Sequence, residues 1–194
     1  MKTFTILFVC ALLFTAVGQQ FGNSAAFRGA AALQGTPAST LAPAWYDTGT
    51  FAEADSWTGA LTPTLIYWTD PASLTLPAGN VSQLRVYVGT EAPGGDSLII
   101  GLFHTNGVLV ASNTVAIPSA NGYATVSVGS VAITNGGYSI ACDILANTHG
   151  VILPYKNAAG SAYYNSGSYP PLPGTLPSGT HLSIKFVTGA YVGP

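Results

Sequence analysis

The chain has 194 residues, of which 6% are charged and 48% hydrophobic, with a formal net charge of -2 and a mean hydropathy of +0.39. Five Lys plus Arg cannot form the basic stripe that neutralises phosphates, so nucleic acid and anionic membrane surfaces are disfavoured as partners. The 10 Tyr, 8 Phe and 3 Trp, amid many aliphatic residues, argue for a folded chain, long enough to bury one core without disulfide or metal staples.

Residues 1–18, MKTFTILFVCALLFTAVG, carry one positive residue, Lys2, an apolar run from Phe4 to Phe14, and small residues at Ala16 and Gly18. This is the build of a secretory signal peptide cleaved after Gly18, and the run is shorter than the roughly 20 apolar residues of a membrane span. A competing reading keeps the segment as an apolar N-terminal helix buried among neighbouring subunits. Cleavage would remove Cys10 and leave Cys142 alone, with no intrachain disulfide. The mature chain is thus expected to be secreted, extracellular or at the cell surface, without a stable membrane span.

Residues 19–44 are rich in Ala, Gly, Ser and Gln, with Phe21, Phe27 and Leu33 scattered among them and a single charge, Arg28. They read as an arm outside the core. One reading is a flexible linker. The other is a segment that orders by adding a strand to the sheet edge of an adjacent copy, with Phe21, Phe27, Arg28 and Leu33 as contact residues.

Residues 45–194 read as one β domain. Turn signals recur about every 8–12 residues between short runs of Val, Ile, Leu, Tyr and Thr, which is the spacing of a sandwich or barrel. Strands are expected over Thr64–Trp68, Gln83–Val88, Ser97–Phe103, Leu109–Val115, Tyr123–Val128, Tyr138–Leu145, Val151–Tyr155 and His181–Val187. Leu84, Val86 and Val88 alternate with Arg85 and Tyr87. Ala124, Val126 and Val128 alternate with Tyr123, Thr125 and Ser127, and Leu182, Ile184 and Phe186 with His181, Ser183 and Lys185. Each such strand has one wet face, because successive side chains point to opposite sides of a sheet. The run LIIGLF at Leu98–Phe103 is apolar throughout, which suits a central strand covered on both sides, with Gly101 allowing a neighbour to approach closely. Tyr138, Ile140, Cys142 and Ile144 share one face, so Cys142 is expected to be a small buried hydrophobe.

The segments LRVYVGTEAPGGDSLIIGLFHTNGVLVAS and GYATVSVGSVAITNGGYSIACDI, within residues 81–145, resemble jelly-roll β-sandwich modules of bacterial and phage surface proteins and of carbohydrate-binding domains. The resemblance implies an all-β, single antiparallel β-sandwich of jelly-roll type, here with an N-terminal extension. It also implies a role in adhesion, polysaccharide binding or assembly of extracellular structures. It carries no functional residue across, because the matching pattern is core and turn.

Chemistry-bearing patterns are sparse. His104, His149 and His181 fall in no zinc spacing, and no nucleophile elbow, phosphate loop or dinucleotide fingerprint occurs. Asp47, Glu53 and Asp55 in YDTGTFAEADSW match no calcium loop and read as solvated loop acids. No catalytic residue, metal site or cofactor is expected. Residues 157–180, NAAGSAYYNSGSYPPLPGTLPSGT, read as a long uncharged loop: a tyrosine-bearing contact loop, or a proline-rich cover over a sheet edge. Trp45, Tyr46, Trp57, Trp68, Tyr163, Tyr164 and Tyr169 are candidate contact or glycan-stacking aromatics, against the ordinary alternative of core packing. Asn80, in NVS, is a candidate glycosylation site.

Together these features lead to an expected non-enzymatic extracellular structural protein. It would be a self-assembling subunit of a pilus-like fibril, with copies of itself as partners and the arm bridging neighbours. The alternative is a secreted carbohydrate-binding or adhesion module that engages polysaccharide or cell-surface glycans.

Overall fold

Alternating apolar side chains need a second layer to bury against, and this chain supplies it with a second sheet. The computed structural model describes residues 41–50, 56–57, 61–90, 96–145, 150–167 and 171–194. In chain order the strands are β1 (Ala44–Asp47), β2 (Ser56–Trp57), β3 (Leu65–Thr69), β4 (Thr75–Leu76), β5 (Gly79–Thr90), β6 (Ser97–His104), β7 (Leu109–Ala116), β8 (Gly122–Ile133), β9 (Gly136–Ile144), β10 (Val151–Ile152), β11 (Pro154–Ser166), β12 (Thr180–Phe186) and β13 (Thr188–Gly193). Residues Leu41–Pro194 form one compact unit.

Every strand pairing among the described residues is antiparallel, and the two sheets pack into an all-β sandwich. One sheet runs β1-β13-β5-β10, with β8 also on β5; the other runs β12-β11-β3-β9-β6-β7, with β2 on β11 and β4 on β9. The chain passes between sheets at Val187, the single residue between β12 and β13. Thr48 fixes this corner: its hydroxyl donates to the Phe186 carbonyl at 2.6 Å, and its amide donates to the Thr188 carbonyl at 2.8 Å.

The inner faces carry the expected alternation. Leu84, Val86 and Val88 of β5, Leu98, Ile100 and Leu102 of β6, Ala124 and Val126 of β8, and Tyr138, Ile140, Cys142 and Ile144 of β9 fill one continuous core. Leu41 and Tyr46 pack onto it from the N-terminal side. Large fully buried side chains such as Phe103, Leu98 and Ile100 each contribute roughly 1.5–3 kcal/mol of burial.

The structure departs from the sequence expectation in the 157–180 stretch. It is not one long loop: β11 continues to Ser166, pairing with both β12 and β3. The remainder, Pro171–Gly179, is a strap across the outer side of the eight-stranded sheet. Its backbone is pinned to the β6–β7 turn by Leu109 N–H to the Gly174 carbonyl (2.9 Å), by Leu176 N–H to the Gly107 carbonyl (2.8 Å), and by a Val108–Thr175 bridge. Leu172 presses onto Ile66, Trp68, Ile99, Phe103 and Ala141 and forms a second small core with them. Gly101 makes room for it, since a Cβ there would lie 2.6 Å from Leu172 Cδ1. Proline suits such a segment because it carries no ladder of its own.

Candidate functional site

On the outward side of the five-stranded sheet an ion pair and four aromatic rings come together. In strand order, Asp47 of β1 faces Gly189 of β13, and Gly189 faces Arg85 of β5. Gly189 has no side chain to intervene, so Asp47 reaches over it to Arg85. A Cβ at Gly189 would run into the Asp47 carboxylate. Arg85 Nε donates to Asp47 Oδ1 at 2.9 Å and Nη2 donates to Oδ2 at 2.5 Å, a two-point, charge-assisted geometry.

Two rings hold the guanidinium in addition. Its carbon lies 4.0 Å from the centroid of Trp45 and 4.2 Å from that of Tyr123, well inside cation–π range. Tyr191 meets Trp45 edge-on at 5.4 Å, and Tyr87 meets Tyr123 at 5.1 Å and 84°. All four rings are half-buried, and the Arg85 and Asp47 side chains retain 18% and 21% of their exposure. Burial raises the Tyr123 phenol above its ordinary value, against the opposing pull of Arg85. Gln83, Thr125 and Ser127 are exposed beside the cluster.

The candidate aromatics of the sequence do not gather on one surface. Trp45 belongs to this face. Tyr46 points into the core, and Tyr164 lies 6.1 Å from Tyr67, which itself packs on that core. Trp68 is buried on the other sheet, stacked on Tyr163 at 5.7 Å and 15°. Tyr163 donates to Asp70 Oδ2 at 3.1 Å and meets the His181 ring at 5.1 Å. The side chain of Trp57 and all of Tyr169, Phe21, Phe27, Arg28 and Leu33 lie outside the described residues, as do His149, Glu53 and Asp55. The Asn80 amide nitrogen donates to the Pro194 carbonyl at 2.6 Å.

Reading Asp47 as a solvated loop acid is corrected by its place in β1 opposite Arg85. Conversely, Arg85, Tyr87, Tyr123 and Tyr191 were not singled out as site residues. The signal was available for three of them: two tyrosines and an arginine on the wet faces of alternating strands. Tyr191 gave none, because β13 is too short and glycine-flanked to stand out.

The other described residues that could carry chemistry lie apart from this face. Cys142 is buried and its thiol is pushed up by burial, with the neighbouring Asp143 adding to it, which is the opposite of an activated nucleophile. Among the described residues, no three His, Cys, Asp or Glu side chains lie together as a metal site would need. His104 meets Tyr138 edge-on at 5.2 Å and shares a 3.0 Å hydrogen bond with Thr105. Asp143 is buried on the outward side of β9 with Oδ2 unpartnered, and loss of hydration lifts its carboxyl to about 7. Ser139, on the same side, also has an unpartnered hydroxyl.

No protein-family model matches the chain, and no curated protein matches it.

Proposed function

We propose that this chain is a non-enzymatic extracellular structural protein, a self-assembling subunit of a surface filament whose N-terminal arm bridges neighbouring subunits. The observation that carries the reading is the state of the strand edges. Among the described residues, β1 pairs only with β13 and β12 only with β11, so each presents an unpaired row of backbone donors and acceptors. The two meet at the Thr48 corner. Such edges are templates for an added strand.

The remaining outer strands differ: β10 is a two-residue strand on β5, and β7 and β8 are joined to each other. Asn113 of β7 donates to the Ser127 carbonyl of β8 at 2.9 Å, which ties those two edges together, and its side-chain oxygen is fixed within β7 by the Thr114 amide at 2.8 Å. Apolar contact supplies little elsewhere: Val108 and Leu145 are the exposed large hydrophobics among the described residues. Main-chain pairing is then the natural adhesive between copies, and a chain with 6% charged residues opposes it with little repulsion. The jelly-roll likeness to surface modules is in keeping with this role.

Negative-stain microscopy and light scattering of two forms test it. Residues 19–194 are expected to form filaments or large oligomers, whereas residues 41–194, which keep Leu41 on the core, remain folded and monomeric. A monodisperse 19–194 form at high concentration, or filaments from 41–194, would sink the proposal.

A further inference from the structure

We propose that the outer face of the five-stranded sheet, centred on Arg85, is a binding site for a neutral polysaccharide chain. The inference does not rest on self-assembly: it uses outward side chains, two of them, Trp45 and Asp47, on the edge strand β1, and none of that strand's backbone groups.

The first ground is placement. No described segment lies over the outward side of this sheet, and such a side is ordinarily polar, yet four half-buried rings, Trp45, Tyr87, Tyr123 and Tyr191, stand on it. None belongs to the two buried clusters. The ligand that suits such a face has apolar C–H surfaces to lay on rings and hydroxyls to pair with polar groups, as a sugar ring does.

The second ground is the fixed centre. The bond pair to Asp47 engages Arg85 Nε and Nη2, leaving Nη1 without a hydrogen-bond partner among the described residues. Its two N–H groups can donate to a ligand hydroxyl or acetal oxygen. Each Asp47 oxygen accepts one bond from Arg85 and keeps further acceptor capacity for a hydroxyl donor. Because two rings and a carboxylate already hold the guanidinium, a ligand would not have to order it.

The third ground decides the class. Arg85 and Asp47 cancel in charge, and among the described residues no other charged side chain joins them in the cluster. The site therefore offers no net attraction to phosphate, sulfate or uronate. Val108 and Leu145, the exposed large hydrophobics among the described residues, lie at the β6–β7 turn and after β9, both on the other sheet. Among the described residues, this face thus lacks the aliphatic anchors that a protein partner would bury. Its rim of Gln83, Thr125 and Ser127 supplies amide and hydroxyl groups instead.

Titration calorimetry of the 19–194 chain, together with affinity electrophoresis of the 41–194 form, which carries every residue of the site and forms one compact unit, tests the site. The neutral probes are soluble galactomannan, xyloglucan, mixed-linkage β-glucan and pullulan; the acidic probes are alginate and polygalacturonate. At least one neutral polymer is expected to retard the protein. Tyr123→Ala and Arg85→Ala are expected to weaken that binding about tenfold or more, the scale of one lost hot-spot contact. Tyr163→Ala, on the other sheet, is expected to leave it unchanged. Gln83→Ala, at an exposed position, supplies a milder variant with a few-fold loss should Arg85→Ala fail to fold. The proposal is overturned if no neutral polymer binds, if acidic polymers bind better, or if the Tyr123 and Gln83 variants bind like the parent. A change in oligomeric state without any glycan binding would also overturn it, and would assign the face to a second copy.

Discussion

The two outward sides of the sandwich start from the same strand alternation and end in opposite states. On the eight-stranded sheet, Ile66, Trp68, Ile99, Phe103 and Ala141 point away from the main core yet are buried, because Leu172 and the strap lie over them. On the five-stranded sheet, Trp45, Arg85, Tyr123 and Tyr191 also point away and stay half exposed. Among the described residues, their large surfaces meet one another and no covering segment. The comparison teaches that an apolar or aromatic outward row has two stable solutions. One is a strap that makes it a second core; the other is a ring-and-ion-pair lattice that leaves it half-buried.

The largest expected effect breaks the covered side. Leu172→Ala removes the strap's plug from a tightly packed site, and should cost about 2–4 kcal/mol. By contrast Tyr191→Ala, on the open side, should cost about 1 kcal/mol or less. Chemical denaturation of the two variants checks the contrast, and equal losses would mean that the strap contributes no more than a surface ring.

A second effect sharpens it through pH. The Asp143 carboxyl is lifted to about 7 in the folded chain, above the ordinary carboxylate value near 3.9. Its contribution is therefore fully present below the unfolded value and is lost as pH rises through about 7. Denaturation midpoints of the parent should fall relative to Asp143→Asn between about pH 4 and pH 7, and the gap should then stay level. A parallel pair of curves would show that the buried carboxyl does not titrate in that window.

The smallest effect falls on the open side. Gly189→Ala places a Cβ where Asp47 crosses to Arg85, so the ion pair must move. The expected loss is about 1 kcal/mol, with a change in Trp fluorescence as the guanidinium leaves Trp45. No spectral change would mean that the pair tolerates the methyl.

Much of the framework was legible in the chain. The strands through Leu84–Val88, Leu98–Phe103 and Tyr138–Ile144 follow from period-two alternation or continuous apolar runs, and their burial matches it. The candidate site was less so. Trp45 and Tyr46 are adjacent in sequence, yet one faces outward and the other the core. The stretch through Tyr163 and Tyr164 looked like loop because Gly and Ser dilute its apolar signal. Pairing with two neighbours makes it a strand nonetheless, since a ladder on both edges outweighs weak local propensity.

By itself, then, the sequence determined the all-β class, the inner faces and the fully covered strand at Leu98–Phe103, because those depend on local periodicity and on water's exclusion from apolar side chains. Only the tertiary structure decided which outward residues meet. Asp47 and Arg85 are 38 positions apart, and Trp45 and Tyr191 join only because β1 and β13 are paired. Register across strands is a property of the assembled sheet, and no single segment encodes it.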